Sequence, residues 1–142
     1  MKKVTLVGIL FVWLLLAACN QTEPATTTIT YQRSGGFAGV MEEYTIQSDG
    51  TVATKDGRTF QVEAAQVAQL VEDIEALGFF DLTGDYLPDD TCCDRFEYIL
   101  TVTKGDQSNT VMTVDAAEEA PAELFQIIDK VNAFIATLPA SS

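Results

Sequence analysis

The sequence predicts an α+β domain, with two helices packed on one face of a mostly antiparallel sheet. Three observations carry this reading. Early and middle stretches alternate apolar and polar residues, the period of half-buried strands. Two later stretches shift to helical spacing, each with a single apolar stripe. The resulting order is ββββ-α-ββ-α, and two single-striped helices bury best on one shared sheet face, giving two layers.

The elements follow in order. Ile29 and Tyr31 alternate with Thr28, Thr30 and Gln32, which predicts the first strand. Ser34-Gly35-Gly36-Phe37-Ala38-Gly39 then sets three glycines around an aromatic, a loop for positive φ or close backbone approach. Phe37 on it is either a core plug or an exposed handle. Val40, Tyr44 and Ile46 share one parity of the second strand, and Met41, Glu43, Thr45 and Gln47 the other. Asp49-Gly50 and Asp56-Gly57 are tight turns, with short strands marked by Val52 and by Phe60 and Val62. Over 63–77, Val67, Leu70, Val71, Ile74 and Leu77 fall on one helical face, and Gly78 follows as a left-handed C-cap. Phe79-Phe80-Asp81-Leu82 returns the chain to the core, and 83–94 reads as a long acidic loop. Strands are predicted over 95–104 and 109–114, joined by a turn. Pro121 opens the last helix, whose stripe is Leu124, Ile127, Ile128, Val131, Phe134, Ile135 and Leu138.

The N-terminus gives an address. Lys2-Lys3 precedes an apolar run from Val4 to Ala18, shorter than a comfortable membrane span but the size of a signal-peptide core. It ends in Leu16-Ala17-Ala18-Cys19, which resembles a bacterial lipobox, the signal for acylating the cysteine. The expected organisation is a signal peptide at 1–18, lipidated Cys19 with a polar tether to 27, and one domain over 28–139. The expected location is the extracytoplasmic side of a bacterial envelope membrane. Formal net charge is −13, and nearer −15 once Lys2 and Lys3 are removed (six basic against 21 acidic residues). That surface repels phosphate backbones, so nucleic acid is not expected as a partner. Anionic headgroups repel it too, so attachment falls to the lipid.

The chain has no histidine, which excludes Ser-His-Asp and Cys-His catalysis and histidine zinc sites. No phosphate-cradling or nucleophile-elbow motif occurs. The expectation is a protein that is not an enzyme, needs no cofactor and acts as a monomer. Cys92-Cys93 are adjacent, and a vicinal disulfide there would be strained because neighbouring Cα atoms lie about 3.8 Å apart. Loop rigidification, a redox switch, a thiolate metal site and free thiols are the alternatives. Asp85, Asp89, Asp90 and Asp94 offer clustered oxygens to Ca²⁺, but without EF-hand spacing, so a solvated acidic loop is the competing reading.

The order of elements, the Ser34–Gly39 loop, Phe79-Phe80, Asp94-Arg95-Phe96-x-Tyr98 opening a strand, and Val114-Asp115 before the terminal helix together resemble the emfourin family. These are proteinaceous inhibitors of thermolysin-like metalloproteases. The resemblance spans about 29–138. It implies a small α+β inhibitor with no cofactor and a secreted or envelope metalloprotease as partner; the expected partner-binding residues are Ser34, Gly35, Gly36, Phe37, Ala38, Gly39, Asp94 and Arg95, with the Ser34–Gly39 and Asp85–Asp94 loops forming one binding edge. The lipoprotein signal and the Cys92-Cys93 pair depart from the family pattern. The alternatives are an envelope interaction or structural lipoprotein, and a calcium- or redox-responsive module.

Overall fold

The computed structural model describes residues 26–89 and 94–139. The expected signal peptide, Cys19, Asp90 and the Cys92-Cys93 pair lie outside them. Seven strands form one mixed sheet: β1 (Thr27–Gly35), β2 (Val40–Gln47), β3 (Thr51–Thr54), β4 (Thr59–Gln61), β5 (Asp85–Tyr86), β6 (Phe96–Lys104) and β7 (Gln107–Val114). Two helices, α1 (Ala64–Ala76) and α2 (Ala122–Ala136), complete the α+β fold. The sheet order is β4-β3-β2-β1-β6-β7-β5. All neighbours are antiparallel except β5, which runs parallel to β7.

β1 is the central strand and pairs with β6 along its whole length. Parity then decides burial. Ile29 and Tyr31 face the helices, opposite Ile46 and Tyr44 on one side and Val102 and Leu100 on the other. With Val52 and Val111 they form the sheet half of the core. The helix half is Val67, Leu70, Val71 and Ile74 from α1 and Leu124, Ile127, Ile128, Val131 and Phe134 from α2. The opposite sheet face is hydroxyl-rich, with Thr101 and Thr110 Oγ1 atoms 2.9 Å apart and Thr103 and Ser108 hydroxyls also at 2.9 Å.

Local chemistry sets the ends. Glu63 N donates to Gln66 Oε1 at 3.3 Å at the start of α1, half of a capping box. Gly78 adopts φ 77°, the expected left-handed residue after the helix. Phe79 in the following 3₁₀ turn is fully buried. Asn109 Nδ2 fastens that turn by donating to the carbonyls of Phe79 (2.7 Å) and Leu82 (3.0 Å). Lys130 Nζ on α2 reaches Asp73 Oδ2 on α1 at 2.7 Å, and Lys104 Nζ on β6 reaches Glu75 Oε1 at the same distance.

Two expectations are corrected. The acidic segment is not all loop, since Asp85–Tyr86 adds a parallel strand and makes the sheet mixed. Thr113 Oγ1 donates to Tyr86 O at 3.1 Å and helps hold it there. The domain also begins one residue earlier than the expected tether boundary, because Thr27 is buried in β1 and accepts from Ser48 N at 2.9 Å. Among the described residues no helix is long and apolar enough to cross a membrane.

Candidate functional site: the β1–β2 hairpin end

β1 and β2 are joined by a tight tip, with Gly35 opposite Val40. Gly39 N donates to Gly36 O at 3.0 Å and closes it. Gly36 N donates to Arg95 O at 3.1 Å and ties the tip to the entry of β6. Both glycines at the junction are required by close approach as well as by positive φ. A Cβ on Gly35 (φ 107°) would lie 2.4 Å from Arg95 O, and one on Gly36 (φ 67°) 2.7 Å from Phe96 Cζ. The ring under the tip is therefore Phe96. Phe37 points outward and is 93% exposed, which rules out the core plug. Met41, two strand positions from the tip's end, is 66% exposed.

The tip stands beside an open strand edge. The ladder between β2 and β3 ends at Tyr44–Thr54, with one further bond from Lys55 N to Glu43 O at 3.1 Å. Val40–Glu42 therefore has no strand on that side among the described residues. An extended backbone with free polar groups beside an exposed Phe is suited to binding another extended chain.

Behind the tip the helix-facing parity of the sheet carries charge. Glu42 and Arg33 are direct cross-strand partners, and Arg33 in turn faces Tyr98. The Arg33 guanidinium lies over the Phe96 ring, 4.0 Å from its centroid. Arg33 Nη1 is 3.5 Å from Glu42 Oε2, and its Nε is buried without an acceptor. Tyr98 and Tyr31 stack with centroids 6.4 Å apart. Asp115 locks this corner. Its Oδ2 accepts from Phe96 N at 3.1 Å, its Oδ1 accepts from the Tyr98 hydroxyl at 2.8 Å, and its own N–H donates to Phe96 O at 2.9 Å. Burial and then the Asp115 carboxylate push the Tyr98 phenol up to about 12. Tyr31 is raised further, chiefly by burial, and its hydroxyl donates to Asn132 Oδ1 on α2 at 2.7 Å. Burial also raises Tyr44, with Glu42 adding to it.

The expected binding residues are partly brought together. Ser34–Gly39 and Arg95 meet at one end of the sheet, and Asp94 precedes Arg95 there. Asp85 is on the far edge strand, three strands from β1, and Asp90, Cys92 and Cys93 are outside the described residues. Among the described residues no group of three His, Cys, Asp or Glu side chains is placed to hold a metal ion. Arg33 and Glu42 were missed, although the signal was present: both occupy the inward parity of strands whose other members are apolar. Chemically this end of the molecule can bind, through an apolar tip, an open strand edge and an aromatic-lined cation. No protein-family model matches the chain, and no curated protein matches it either.

Proposed function

We propose that this chain is a lipid-anchored binding protein of the bacterial envelope that inhibits a thermolysin-like metalloprotease by inserting its β1–β2 hairpin end into the enzyme's cleft. The observation that carries the reading is Phe37, 93% exposed on a tip whose backbone is braced by Arg95 and Phe96. Phe37 and the exposed Met41 near it place apolar surface at the tip, where a partner can cover it. The neighbouring Val40–Glu42 edge offers main-chain hydrogen bonds, and Phe37 fills an apolar pocket, the combination by which clefts bind extended chains. Bracing lowers the ordering cost of association. The emfourin resemblance names the enzyme class, and the protein acts as a monomer without a cofactor.

The test is residual activity of several thermolysin-like enzymes mixed with the full chain in detergent. Inhibition is expected at micromolar protein or below. Phe37→Ala should weaken it by about tenfold or more, equivalent to about 1.4 kcal/mol, whereas Glu72→Ala on the exposed side of α1 should leave it unchanged. Absence of inhibition across the enzymes sinks the protease reading. Equal potency of Phe37→Ala and the unaltered chain sinks the role of the tip.

A further inference from the structure

We infer that the cavity behind the hairpin is a second binding site, built to hold an apolar or aromatic carboxylate on Arg33. The cavity measures about 530 Å³, within the usual range for small-ligand sites of roughly 300–1,000 Å³. Its sheet wall is largely aromatic, with Tyr44, Phe96 and Tyr98 around Arg33, and its other wall is the end of α2 from Asn132 to Ala136.

The polar groups on these walls are unbalanced toward donors. Arg33 lies over the Phe96 ring, yet its paired carboxylate, Glu42, stands 3.5 Å away. The Lys104–Glu75 and Lys130–Asp73 pairs of the same molecule close to 2.7 Å. Charge-assisted bonds are normally about 2.7–2.9 Å, so Glu42 leaves the guanidinium poorly matched. Arg33 Nε is buried with no acceptor at all, at a cost on the order of 1–3 kcal/mol, and the donors open to a ligand are those of the partly exposed Nη groups. Asn132 spends its Oδ1 on the Tyr31 hydroxyl, and this bond fixes the amide with its Nδ2 donors unused among the described residues. The Tyr44 hydroxyl stands on the same walls. A planar guanidinium edge and a carboxamide donor call for a carboxylate, which can accept from both. The aromatic walls call for an apolar body behind it. A dianion such as phosphate fits less well, because Glu42 shares the same guanidinium. The carboxylate has two sources, a free small molecule or the C-terminal residue of a partner chain. The inference does not depend on what the hairpin tip binds.

The experiment uses the full chain in detergent micelles with ¹⁵N-labelled arginine, following the Arg33 Nε–H resonance. The probes are N-acetylphenylalanine, its primary amide, and a tetrapeptide ending in phenylalanine with a free carboxylate. The acid should give a saturable shift of Arg33, and the amide should bind about tenfold more weakly or worse. Arg33→Met should abolish acid binding. Glu42→Gln should tighten acid binding about threefold by removing the competing anion, with no matching gain for the amide. That gain is one a merely structural Arg33–Glu42 pair would not produce, and it stands even if Arg33→Met fails to fold. Tighter binding of the tetrapeptide supports a chain terminus as the natural ligand, and tighter binding of the single amino acid supports a free molecule. Equal affinity for acid and amide overturns the inference. So does an unmoved Arg33 resonance, or no saturation up to roughly ten millimolar ligand.

Discussion

Gly36 and Phe96 act as one unit, because the space over the Phe96 ring exists only where Gly36 has no side chain. Gly36→Ala combines a left-handed backbone with a steric overlap, and should lower stability by about 2–3 kcal/mol, read as a drop in thermal midpoint. Phe37→Ala, one residue on, removes an exposed side chain and should change stability by less than about 0.5 kcal/mol. The contrast separates the brace from the part that is presented. Asp115 is the other hinge of this corner. Asp115→Ala leaves Phe96 N and the Tyr98 hydroxyl without their acceptor, and should cost about 1–3 kcal/mol. It should also bring the Tyr98 phenol down from about 12, as followed by ultraviolet titration; an unchanged titration would show that burial alone sets it. At this scale the site was half legible. The three glycines announced a strained tip, whereas the direction of Phe37 depended on which aromatic filled the space below, and 83–98 contains several. Arg33 and Glu42 could have been found by extending the parity of Tyr31 and Tyr44 two positions further, where a charge replaces the expected apolar residue.

The elements were legible where their period was long enough to count. β1, β2, β6 and β7 each repeat the two-residue alternation, and both helices carry their stripes over three turns or more. β5 has two residues and pairs in parallel, so no periodic signal could reveal it; it is placed by Thr113 and by the exit from the buried Phe79 turn. The ends of β1 shifted for a related reason. Polar Thr27 reads as tether, but its backbone pairs with Ser48 and Lys104, and that pairing buries it. The helices and the sheet share one apolar core. Ile127→Ala on α2, fully buried between the sheet and α1, should cost about 2–5 kcal/mol in denaturant unfolding. A loss below about 1 kcal/mol would mean that α2 is not an integral layer.

For the whole molecule, charge dictates the pH response. Hydrogen bonds from Thr51, Thr54 and Lys130 hold Asp49, Asp56 and Asp73 below the usual carboxylate range. Their folded pKa values are depressed, so their contribution is present above the unfolded value of about 3.9 and is lost as pH falls through the folded values. Tyr98 and Tyr31 have the opposite sign. Their contribution is present below about 10 and fades as pH rises toward the folded value of Tyr98, about 12. Circular dichroism should therefore show unfolding beginning in both arms, and Tyr98→Phe should push the alkaline arm upward. The proposed anchor has its own check, since Cys19→Ala should abolish incorporation of labelled fatty acid into the protein. The sheet ends in strands of three residues, β4, and two residues, β5. Such stubs offer a neighbouring molecule almost no ladder to extend. A protein confined by a lipid to two dimensions meets its own copies far more often than one free in solution. Under the proposed lipid anchor, these short outermost strands limit pairing between crowded copies and leave the open stretch of β2 beside the tip for the proposed partner.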